Sequence, residues 1–132
     1  MPASSYLATN TLNAWIRATP PASFPSNVYV GLFTTNPGPN GMGTEVSGNG
    51  YARAGATFGA PASSAGSMVA SNSSPVSFPT ATGSWGTPQY FAIYDALTGG
   101  NMLFYGTISA PFAISSGMTP QYATGALRVS AS

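Results

Sequence analysis

The chain has 132 residues, no Cys and no His, and 4% charged residues, where an ordinary soluble domain carries about 25%. That length fits one domain, spanning 1–132, that buries roughly two thirds of its unfolded surface without staples. The missing residue types exclude disulfides, thiolate nucleophiles, imidazole bases and the common zinc sites.

Arg17, Glu45, Arg53, Asp95 and Arg128 are the whole charge complement, with a net charge of +1. So little charge gives weak repulsion between copies, so a surface largely covered by neighbouring subunits is expected, in a homo-oligomer or on a lattice. Three dispersed Arg do not make the basic stripe that nucleic acid requires, so nucleic acid is not an expected partner. No stretch approaches the ~20 apolar residues that span a bilayer, and no basic segment followed by an apolar one opens the chain. Neither a membrane partner nor secretion is expected.

The first element is a helix over 5–18, with Ala8, Leu12, Trp15 and Ile16 on one face. Ser4 or Ser5 can cap it, and Pro20 with Pro21 ends it. It is expected to dock on a β core through Trp15 and Ile16. Residues 28–34, VYVGLFT, read as a strand covered on both faces. Residues 35–50 recur in Gly and Pro and form a long loop. A phosphate cradle is rejected there, because the loop has no GxxxxGK[ST] pattern, lacks Lys and leads into a strand rather than a helix.

Residues 51–58 alternate Tyr51, Arg53, Gly55 and Thr57 against a small apolar face. Glu45 and Arg53 are the only opposite charges close in sequence and are expected to pair, tying the loop to the strand or fixing its register against a partner. Short strands are expected at 67–70, at an edge, and at 75–79, bounded by prolines. The densest stretch, 85–108, reads as a β-hairpin whose arms start at Tyr90 and Met102. Its turn is 95–101, where Gly99 and Gly100 tolerate positive φ and Asp95 and Asn101 can bond local backbone. A last strand over 121–130 closes the fold. Together these predict a mainly β fold: about seven strands in an antiparallel β-sandwich or squat barrel over 28–130, with one N-terminal helix.

Little chemistry is available. The two acids, Glu45 and Asp95, have no spacing that brings them together as a catalytic pair or a cation site. The serines have no His or Lys as a base. No enzyme, metal or cofactor is expected. The tyrosines with Trp15 and Trp85 could form a sugar-stacking platform, but most fall on strands, where core packing accounts for them. Neutral contacts to other subunits remain, centred on Glu45, Asn49, Tyr51 and Arg53.

Three stretches carry a family resemblance: NVYVGLFTT, then GTEVSGNGYARAGATFG, then VSFPTATGSWGTPQYFAIYDALTGGNMLFYG. Over 28–128 the chain resembles a family of small tailed-bacteriophage virion proteins, often labelled tail-fibre protein or uncharacterised. The resemblance implies a virion structural protein made in the cytoplasm of a bacterial host, with other virion proteins, major capsid protein or tail subunits, as partners. The chain is short and has no repetitive shaft. A capsid cement or decoration protein is therefore the first reading, a tail or tail-fibre-associated structural protein the alternative, and a receptor- or glycan-binding adhesin stands behind both.

Overall fold

A computed structural model describes residues 3–19, 27–64, 66–108 and 111–131. The helix α1 (Ser5–Trp15) precedes strands β1 (Val28–Phe33), β2 (Ala54–Ala56), β3 (Ala62–Ser64), β4 (Ser67–Ser71), β5 (Val76–Ser77), β6 (Tyr90–Tyr94), β7 (Met102–Thr107), β8 (Gln121–Tyr122) and β9 (Arg128–Ala131). They form three antiparallel sheets, ordered β2-β1-β6-β7, β3-β4-β9 and β5-β8. The fold is therefore mainly β with one N-terminal helix, as expected. Among the described residues the sheets do not close into a barrel, and the arrangement is sandwich-like.

The hairpin organises the largest sheet. Leu32 sits opposite Phe91 and Ile93 opposite Phe104, so β6 lies between β1 and β7. Val30, Leu32, Phe91 and Ile93 face one apolar cluster that also holds Val76, Phe78, Trp85 and Ile114. Phe33, Ala92, Tyr94 and Met102 form a second cluster. Since side chains alternate across a pleated sheet, the non-alternating apolar sequence of β1 is explained: both faces are covered, and Val30 to Phe33 are all buried. Between the hairpin arms, Gly99 and Gly100 take φ of 60° and 73°. Asp95 accepts hydrogen bonds from the Asn101 amide N–H (2.7 Å) and side chain (3.2 Å), the local bonding anticipated for this turn.

Several strands differ from expectation. The strand at 51–58 shortens to Ala54–Ala56, because the loop at 44–46 already bonds the edge of β1 beyond Val30. The strand at 121–130 is broken into β8 and β9. The cause is Asn72, 1% exposed. Its side chain donates to the carbonyls of Ser74 and Ala123 and accepts from the Leu127 N–H, while its main chain bonds Leu127 and Gly125. This holds 123–127 as a turn inside what reads as one alternating run. The strand β3, hidden in a stretch rich in Ser and Ala, pairs with β4, so β4 lies between β3 and β9 rather than at the expected edge.

The helix corrects a firmer expectation. Ser4 caps it, its Oγ accepting from the Leu7 N–H at 3.1 Å, but the helix ends at Trp15, short of residue 18; Pro20 and Pro21 lie outside the described residues. Trp15 and Ile16 do not dock. They are 83% and 78% exposed, and Leu12 is 61% exposed. The anchoring is at the other end: the N–H groups of Ser4 and Ser5 donate to Leu103 and Pro39 carbonyls, and the Ser4 hydroxyl donates to Met102 O. Bonds at the first turn orient the helix on β7 with Leu7, Asn10 and Ala14 half-buried, so the more apolar face points away.

Candidate functional site

Beyond the reach of β2, the outer edge of β1 carries backbone groups that need partners. The returning loop supplies some: Thr34 N–H donates to Thr44 O, and Val46 N–H to Leu32 O. The Leu32 N–H instead donates to the Tyr51 hydroxyl at 3.0 Å, so a side chain stands in for a strand. That hydroxyl donates onward to Glu45 Oε2 at 2.6 Å. Room for this comes from Gly31, where a Cβ would lie 2.8 Å from Glu45 Oε2.

Arg53 completes the cluster. Its Nε and NH2 bond the two Glu45 carboxylate oxygens at 2.9 and 3.0 Å, the paired fork geometry that guanidinium favours. Its NH1 donates to the carbonyls of Ala96 (3.0 Å) and Gly99 (2.7 Å) in the hairpin turn. The guanidinium carbon lies 3.6 Å from the centroid of the Tyr94 ring, a cation–π contact, and Tyr94 stacks parallel to Phe33. One side chain thus ties the Gly-rich loop, the hairpin turn and the second apolar cluster together.

The electrostatics follow from this enclosure. Burial, then the bond to Glu45, pushes the Tyr51 hydroxyl well above the ordinary phenol range, against the lowering effect of the Leu32 bond and Arg53. Burial alone would lower the Arg53 pKa, but the hydrogen bonds and charge of Glu45 outweigh it and raise it. Tyr94 is raised by burial, with Arg53 opposing and Glu45 adding. Four of the five guanidinium donors are engaged within the chain, and the Arg53 side chain is only 8% exposed. The cluster fits an internal clamp.

Of the four expected interaction residues, the structure brings Glu45, Tyr51 and Arg53 together. Asn49 belongs elsewhere: its side chain donates to Ser84 O, and its carbonyl accepts from the Thr82 N–H and the Trp85 indole. It pins the loop to the segment before the hairpin, where Trp85 meets Tyr51 edge-on. The sequence did not disclose Tyr94 or the two turn carbonyls as Arg53 partners. One signal was present: a Gly inside a strand marks close approach of another group, and Gly31 is that Gly. Among the described residues no three His, Cys, Asp or Glu gather as a metal site, and no helix is long and apolar enough to cross a membrane.

Comparison with protein families matches residues 2–130 to the family described as Podophage GP4 fiber I protein gp80. The chain belongs to this family. It is accordingly a structural protein of a tailed-phage virion, and its family is one of phage fibre proteins. That overturns the order of the two virion readings: capsid cement or decoration has no support, and the tail-fibre alternative is the one the family favours. The reason for the misordering is physical. A short chain without a repetitive shaft looks unlike a fibre, and that shape favoured the capsid reading. No curated protein matches the chain.

Proposed function

We propose that this protein is a non-enzymatic structural component of a phage tail-fibre assembly that works by docking to other virion proteins. The observation that carries the reading is the family match over residues 2–130. The helix supports it. Ala8, Leu12, Trp15 and Ile16 form an apolar stripe that the fold leaves exposed, while less apolar residues of α1 face β7. Large apolar side chains at i, i+3 and i+4 are the anchors by which a helix seats in a groove, and the partner of that chemistry is an apolar groove on a neighbouring fibre or tail protein. The Glu45, Tyr51 and Arg53 cluster keeps the Gly-rich loop and hairpin turn in fixed positions beside it.

The test is the protein's location and neighbours in the particle. Immunogold labelling of purified virions, with cross-linking and mass spectrometry, should place it on the tail with cross-links from 5–17 to another tail or fibre protein. Label spread over the head, or absence from purified particles, would refute the proposal.

A further inference from the structure

A cleft of about 310 Å³ opens where the start of α1, the loop at 39–41 and the hairpin turn meet, lined by Ser4, Tyr6, Asn40, Tyr94, Asn101 and Met102 among others. Its volume sits at the small end of ligand sites, roughly 300–1,000 Å³, which suits a single ring. Ser4, Tyr94 and Met102 are its buried members, at 1%, 8% and 7% exposure. The Ser4 hydroxyl is already engaged by Met102 O and the Leu7 N–H.

Tyr94 is different. Its ring is held by Arg53 and Phe33, yet its hydroxyl bonds to none of the described residues. Among those residues no fully enclosed side-chain polar atom lacks a partner, so this hydroxyl opens onto the cleft. A residue more than nine-tenths buried thus presents there one polar atom with no partner among the described residues. Around it, Asn40 and Asn101 bring neutral amides, each able to donate and accept, and Tyr6, 42% exposed, brings a ring.

The formal charges nearby are spent. The Asp95 carboxylate accepts two bonds from Asn101, and the Arg53 guanidinium is held by Glu45, Ala96 and Gly99. Among the described residues lining the cleft, no free charge remains to recognise a phosphate, a carboxylate or a metal ion. A neutral ligand with an apolar face for an aromatic ring and hydroxyls for amides fits instead, and that is the chemistry of a sugar ring.

We propose that this cleft binds one neutral monosaccharide unit. The inference stands on the cleft alone and does not rest on the fibre reading; the location of the protein in the particle does not bear on it.

Saturation-transfer NMR and calorimetry on the full chain, with neutral hexoses, deoxyhexoses and N-acetylhexosamines as probes and sialic acid and inorganic phosphate as charged controls, test it. At least one neutral sugar should bind weakly and specifically. Tyr6→Ala and Asn40→Ala, both at the rim, should each weaken it by about fivefold, the loss of one modest contact. Tyr94→Phe keeps the ring packing and removes only the hydroxyl, so it should weaken binding by a similar factor with an unchanged melting temperature. Phe112→Ser, 39% exposed and outside the cleft lining, should leave binding unaltered. The proposal is overturned by the absence of binding to every neutral sugar, by equal binding of the charged controls, or by binding that survives all three cleft substitutions.

Discussion

Arg53 shows how a single charged side chain can hold a nearly uncharged protein together. Removing one partner of an enclosed ion pair leaves the other desolvated without compensation. Arg53→Met should therefore destabilise by about 3 kcal/mol in urea unfolding. The double variant Arg53→Met/Glu45→Leu, which removes the stranded carboxylate, should lose less than the single one. A single-variant change under about 0.5 kcal/mol, the size of an ordinary surface substitution, would show that the clamp adds nothing. Tyr51 offers a test by pH. Its folded-state pKa lies above that of the unfolded chain, first through burial and then through the bond to Glu45, so the folded protein holds the proton more tightly. Stability from this group is fully present below the ordinary phenol pKa of about 10 and is lost as pH rises beyond it. Burial moves Tyr122 the same way, and chiefly burial moves Tyr94. From neutral pH upward the tyrosines should leave unfolding free energy steady to about pH 10 and lower it beyond, and Tyr51→Phe should make that fall shallower by up to about 1.4 kcal/mol per pH unit. An unchanged alkaline slope in Tyr51→Phe would contradict the assignment.

At the scale of elements, the turn between β8 and β9 depends on a residue about 50 positions upstream. Asn72→Ala removes three side-chain hydrogen bonds from a buried site and leaves the Leu127 N–H and Ala123 carbonyl without those partners. A loss of about 3 kcal/mol is expected, together with faster amide exchange in 128–131, the segment paired with β4; unaltered exchange there would show that the strand pairing alone holds the turn. This dependence marks the boundary of what the sequence discloses. The arms of the hairpin were legible because β-branched and aromatic residues flank a turn with its own local chemistry. The run at 121–130 alternated convincingly, but nothing within it encodes Asn72. The helix shows a second limit. Periodicity locates an apolar face, and Leu12, Trp15 and Ile16 do share one, but it does not say what covers that face. Here the bonds of Ser4 and Ser5 decide the helix's orientation. The Glu45 and Arg53 pair was legible because the chain offers so few charges, whereas their contacts with Tyr94, Ala96 and Gly99 arise only when the hairpin folds onto the loop.

For the whole molecule, the placement of its five charges governs how it can meet a partner. Glu45 and Arg53 neutralise one another and face inward, and Asp95 is bonded within its own turn. Arg17 and Arg128 are exposed, and both make contacts within the chain, Arg17 bonding through its side chain to Asn13 at 3.2 Å. A surface so poor in charge cannot steer association by long-range attraction. The docking proposed above would instead draw on apolar burial, for which the α1 stripe is the exposed candidate, and apolar burial strengthens rather than weakens with excluded salts such as sulfate. Affinity for the partner identified by cross-linking should then change little from 0.1 to 1 M sodium chloride, although the screening length falls from about 10 to about 3 Å over that range. Trp15→Ser with Ile16→Ser should lower that affinity by about tenfold or more, since each deletes a side chain worth roughly 1.5–3 kcal/mol on full burial. Because both side chains are exposed in the isolated chain, its melting temperature should stay within the range of ordinary surface variants. An affinity that collapses with salt would assign recognition to Arg17 and Arg128, and a double variant that still binds normally would remove the helix from the interface.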